Sequence, residues 1–60
     1  MNSESIGKKY KFLIIIESRK LFFTGVIKDI SLTHFTFIDK ENKTLSFRLT
    51  DLVEAEEVKE

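Results

Sequence analysis

The chain contains no cysteine, no proline and no tryptophan, and only two glycines, one histidine and one tyrosine among its 60 residues. Without cysteine there is no disulfide and no thiolate metal site. The single His34 cannot build a histidine-rich metal centre within one chain. Long apolar stretches are missing too: the longest unbroken run is FLIII, Phe12 to Ile16. A membrane helix needs about 20 such residues, and the amino end, MNSESIGKK, has no apolar core of the signal-peptide kind. The expectation is a soluble, cytoplasmic protein with no membrane partner. A domain of this size buries only about 60% of its unfolded surface. With disulfides and metals excluded, regular packing or self-association must compensate for the thin core.

What is present fits one folded domain. Hydrophobic residues make up 42% and charged residues 33% of the chain, a balance that disordered segments do not have. Net charge is zero but unevenly distributed. Residues 1–29 carry six basic and three acidic side chains; residues 30–60 carry four basic and seven acidic. A dedicated nucleic-acid binder is usually basic overall, so any phosphate-binding face here has to be local.

From Lys9 onward, apolar residues recur with a period of two, the spacing of strands. Tyr10, Phe12, Ile14 and Ile16 share one face; Lys11, Leu13, Ile15 and Glu17 share the other. The polar ESRK, Glu17 to Lys20, suits a hairpin turn. A second strand is expected over Leu21–Ile30, with Phe23, Gly25 and Ile27 on one face. A third runs over His34–Asp39, with Phe35 and Phe37 inward, and DKENK, Asp39 to Lys43, is a charged loop. A fourth covers Thr44–Leu49, Thr50–Leu52 makes a tight turn, and Val53–Val58 is either a short last strand or a helical turn. Residues 1–8 read as a flexible lead-in with at most one helical turn, residues 9–58 as the domain, and residues 59–60 as a frayed end.

Gly25 stands inside the second strand, and the alternation continues past it. Five strands in about 50 residues make one sheet that bends sharply, and such bends use glycine or a bulge. Gly25 is therefore expected to let the sheet fold over its core and another backbone approach. The expected fold is all-β: a five-stranded, strongly bent antiparallel small barrel.

Phe23-x-Gly25-x-Ile27-x-x-Ile30 followed by Phe35-x-Phe37 resembles the first half of an Sm-like domain. FRLTDLVEAEEV, Phe47 to Val58, resembles its end. The same apolar skeleton, with Leu49, Thr50-Asp51, Leu52, Ala55 and Val58, is similar to the carboxy-terminal barrel of the ribosome maturation factor family and is shared by many SH3-like barrels. The Sm-like resemblance implies non-enzymatic binding of single-stranded RNA and ring-shaped homo-oligomers. It places Arg48 at the family's arginine position, although Leu49 stands where glycine is expected. The asparagine position falls on His34 or Thr36, and the aspartate position on Ser31.

Three sets of residues are candidates for function. The nucleic-acid set joins His34 and Arg48, as base contacts, to Lys9, Lys11, Arg19, Lys20 and Lys28, with Lys8 beside them. Cations interleaved with Tyr10 and Phe22 have the make-up of a phosphate- and base-binding face. The interface set is Leu13, Ile15 and Phe22, apolar residues on the face opposite the expected core; exposed apolar patches and open sheet edges both mark places of assembly. The third, acidic set is Glu54, Glu56 and Glu57, a solvated face or a docking patch for a basic partner. No nucleophile, base and orienting residue stand together, and no phosphate loop or metal-ligand spacing is present. No enzyme activity, cofactor or small-molecule substrate is expected.

Overall fold

A computed structural model describes residues 3–59. Five strands, β1 (Lys9–Ile16), β2 (Arg19–Ile30), β3 (His34–Asp39), β4 (Thr44–Arg48) and β5 (Leu52–Glu57), form one antiparallel sheet in the order β4-β3-β2-β1-β5. The carboxy-terminal segment, open between strand and helical turn in the sequence, is a strand. The tight turn before it is a 3₁₀ turn over Leu49–Asp51.

That turn reveals the curvature of the sheet. It links β4 at one edge to β5 at the other. In a flat sheet, four strand spacings would hold those edges about 19 Å apart. Three residues of 3₁₀ helix climb only about 6 Å. The sheet is therefore rolled. It is not a closed barrel: among the described residues, no ladder joins β4 to β5.

β2 carries most of the bend. Its first part pairs with β1, from Ile16↔Arg19 to Lys9↔Val26, and its last part with β3, from Gly25↔Asp39 to Ile30↔Phe35. The two ladders overlap only at Gly25 and Val26. There Gly25 is buried, and a Cβ on it would lie 2.5 Å from the Ile38 carbonyl oxygen and 2.6 Å from Phe37 Cδ2. The expected close approach of another backbone is thus the Ile38 carbonyl. A bulge between Ile27 and Asp29 gives β2 a second bend.

The core is small and aromatic. Phe12, Ile14, Ile27, Phe35 and Phe37 are fully buried, and Tyr10, Ile16, Leu21, Phe23, Ile30, Leu45, Phe47, Leu49 and Leu52 pack around them. The alternation placed most of these inward; Ile30, out of phase with Phe23 and Ile27, is turned in past the β2 bulge, and Leu52 was expected in a turn. At the amino end, Ser3–Ser5 form a 3₁₀ turn. Ser5 is buried with its hydroxyl 3.0 Å from the Tyr10 hydroxyl. The Gly7 and Ile27 amides donate to the Ile27 and Lys8 carbonyls, tying residues 7–8 to the sheet. The lead-in is thus attached to the core through the Ser5 side chain and these backbone bonds. No helix among the described residues is long and apolar enough to cross a membrane.

The β1–β2 hairpin is tighter than the four-residue turn expected from ESRK. Only Glu17 and Ser18 lie between the paired Ile16 and Arg19, with φ of 50° and 65°. Two consecutive positive φ values define the type I′ turn that suits strand twist, normally made by Asn-Gly. Left-handed backbone costs about 1 kcal/mol or more at a residue with a Cβ. Replacing Glu17-Ser18 by Asn-Gly is therefore expected to raise stability by about 1–2 kcal/mol, read as a higher urea midpoint with an unchanged slope.

Candidate interaction surface

The outer face of β5, β1 and β2 is built by register. Leu13 on β1 lies opposite Phe22 on β2 and Glu54 on β5. One pleat along, Lys11 lies opposite Thr24 and Glu56. In the other direction Ile15 faces Lys20. A bulge between Leu13 and Ile14 on the β1–β5 ladder admits Val53 as an extra residue. It keeps Leu52 turned to the core and Glu54 outward, and leaves Val53 exposed.

Phe22 is the outstanding member of this face, with 74% of its surface in solvent. Leu13 and Ile15, expected beside it as interface residues, are half-buried. Their neighbours on the adjoining strands cover part of each side chain, so the apolar patch centres on Phe22. A shallow depression of about 170 Å³ is lined by Lys11, Phe12, Leu13, Phe22, Glu54 and Glu56. It has an apolar floor and a rim bearing both charge signs. A linear reading put Leu13 and Phe22 in one set and Glu54 and Glu56 in another, because only the β1–β5 pairing brings residues 54 and 56 beside residues 11 and 13.

The same pairing disperses the expected basic face. The cation-rich β1 lies next to the acidic β5. Lys11 is the register partner of Glu56, and Lys8 Nζ lies 3.7 Å from Glu57 Oε1. Lys9 opens β1 opposite Val26. Arg19 and Lys20 follow the Glu17–Ser18 turn, whereas Lys28 occupies the β2 bulge. Lys20 and Lys28 are eight residues apart, about 26 Å of extended strand. The acids of β5 thus stand beside the cations at Lys8 and Lys11.

His34 and Arg48, from different parts of the sequence, are brought together. They are register partners across β3 and β4 on the outer face, and both are exposed. The Leu49 amide donates to the Thr33 carbonyl over 2.8 Å, fixing the two strands beside them. His34 Nδ1 shares a 2.8 Å hydrogen bond with the Thr33 hydroxyl. Its amide donates to Ser31 Oγ over 3.0 Å, and Ser31 Oγ donates to its carbonyl over 3.2 Å. Arg48 Nε lies 3.5 Å from Asp51 Oδ2. Its acidic partner is thus three residues along the chain, in the 3₁₀ turn. The Ser31–Thr33 loop also presents Leu32 fully to solvent, a feature that carried no signal in the sequence.

Comparison with family models, with curated proteins and with solved structures finds no match to this chain.

Proposed function

We propose that this chain is a non-enzymatic protein-interaction module that assembles through the outer face of β5, β1 and β2. The observation that carries this reading is Phe22, 74% exposed and directly opposite Leu13. Burying a phenylalanine stabilises by about 1.5–3 kcal/mol relative to leaving it in water. One exposed apolar side chain is ordinary on a protein surface. A phenylalanine contiguous with Leu13, next to Ile15 and over a depression, is the beginning of an interface. Photocrosslinking tests it. A benzoylphenylalanine at position 22, irradiated in living cells, is expected to give a discrete protein adduct, whereas the same group at the exposed Lys40 gives none. Absence of an adduct at position 22 would overturn the reading.

A second reading is favoured by one observation, the His34–Arg48 pair. An imidazole and a guanidinium side by side can stack on and hydrogen-bond to an unpaired base. Under this reading, single-stranded RNA is the partner and Arg48 and His34 contact bases, as the Sm-like resemblance implies for the arginine position. Purified protein would then carry excess absorbance at 260 nm, conspicuous in a chain without tryptophan. Binding would weaken steeply with salt. Protein free of nucleic acid and without affinity for RNA would remove it.

A further inference from the structure

Resting on the interaction reading above, we infer that the occupant of the Phe22 face is a second copy of this chain, bound about a two-fold axis running along β1. The argument begins with charge. Around Leu13 and Phe22 the face carries two acids, Glu54 and Glu56, on the β5 side. It carries Lys20 on the β2 side and Lys11 between. The patch is neutral in sum and opposite in sign at its two flanks. A foreign partner would need its own matching flanks; a second copy has them already.

A two-fold axis makes an interface isologous, each copy presenting the same patch to the other. With the axis along β1, β5 of one copy lies over β2 of its partner. Phe22 of each then covers the Leu13–Glu54 row of the other. Glu54 comes over the partner's Phe22, one pleat from the partner's Lys20 and within reach of that side chain, and Glu56 over the partner's Thr24. Lys11, nearest the axis, keeps its own Glu56 beside it.

Two further observations favour a copy over a stranger. The chain has a formal net charge of zero, so copies approach without long-range repulsion. Among the described residues, only five apolar side chains are fully buried. Small domains with thin cores commonly gain stability by oligomerising.

The full-length purified chain, followed by size-exclusion chromatography with light scattering, tests the inference. The expected mass is twice the 7.0 kDa of the chain, and the dimer should dissociate on dilution. Phe22→Glu is expected to weaken it by about 100-fold, the scale of losing a central aromatic anchor. Circular dichroism should stay that of a folded chain, because Phe22 lies outside the core. Glu54→Lys is expected to weaken the dimer too, and adding Lys20→Glu to that variant to restore it.

A monomer whose residue-22 crosslink joins a different protein overturns the second copy and leaves the interaction reading standing. A monomer with no crosslink overturns both. A dimer indifferent to Phe22→Glu uses another surface, such as the unpaired edges of β4 and β5, and also overturns the inference. Failure of the Glu54 and Lys20 reversals to compensate overturns the proposed two-fold arrangement.

Discussion

Gly25→Ala is expected to lower folding stability by about 2–3 kcal/mol, net of the small gain from a stiffer unfolded chain. The cause is collision. The added Cβ would sit 2.5 Å from the Ile38 carbonyl oxygen and 2.6 Å from Phe37 Cδ2. A flexible side-chain tip could swing aside; the carbonyl cannot, because it belongs to β3, which pairs with β2 at this point. Relief requires the two strands to part at the only place where β2 holds both neighbours. Domains of this size have roughly 3–9 kcal/mol in total, so the loss removes a large share of it. With a urea slope near 1 kcal/mol/M, the midpoint should fall by about 2–3 M. Gly7→Ala provides the comparison. Gly7 has φ +89° with nothing within 4 Å of a Cβ, so alanine there costs only the left-handed backbone penalty, about 1–2 kcal/mol. A Gly25→Ala loss no greater than that of Gly7→Ala would show that the β2–β3 approach is looser than the structure has it.

Gly25 also shows how far the sequence could be read. Alternation continuing on both sides of a glycine signalled a bend inside a strand, and the handover from β1 to β3 is that bend. Most of the inward set from Tyr10 to Leu49 was legible for the same reason: period two places the core residues of a regular strand, whatever its neighbour, and fails only at Ile30, past the β2 bulge. The Glu17–Ser18 turn was not legible, because neither residue carries the glycine or asparagine signal of a type I′ turn. The two bulges were hidden as well. A bulge moves register by one residue without altering composition, and the one opposite Leu13 and Ile14 displaces Val53 and decides which β5 side chains reach the outer face. Topology sets acids beside the expected basic face. Its cations are close in sequence, but the acidic β5 lies beside β1 and breaks the field they would share. The His34–Arg48 pairing follows from the β3–β4 register, which a charged loop between two strands does not specify by itself. The exposure of Phe22, against the half-burial of Leu13 and Ile15, needed the three-dimensional sheet.

The other large effect belongs to Phe37. It is fully buried, and its ring centroid lies 4.7 Å from that of Phe12, 5.6 Å from Phe23, 5.8 Å from Phe35 and 6.0 Å from Phe47. It touches rings from β1, β2, β3 and β4 at once. Phe37→Ala removes that contact and leaves a cavity, at a cost of about 3–5 kcal/mol. The result is expected to be a chain largely unfolded at 25 °C, read by loss of the cooperative denaturation transition. Phe47→Ala should cost less, because Phe47 is only half-buried. The same ring presses on the Cβ position of Gly25, so the two sites are coupled. Phe37→Leu shortens the group that an alanine at 25 would strike but leaves the Ile38 carbonyl in place. Alanine at 25 should therefore be less damaging in the Phe37→Leu background than in the native chain, by about 0.5–1 kcal/mol, as expected for residues in contact. Strict additivity in that double-mutant cycle would mean that the backbone contact alone accounts for Gly25. A coupling large enough to erase the Gly25→Ala penalty would mean that the aromatic ring, and not the strand approach, is what requires glycine there.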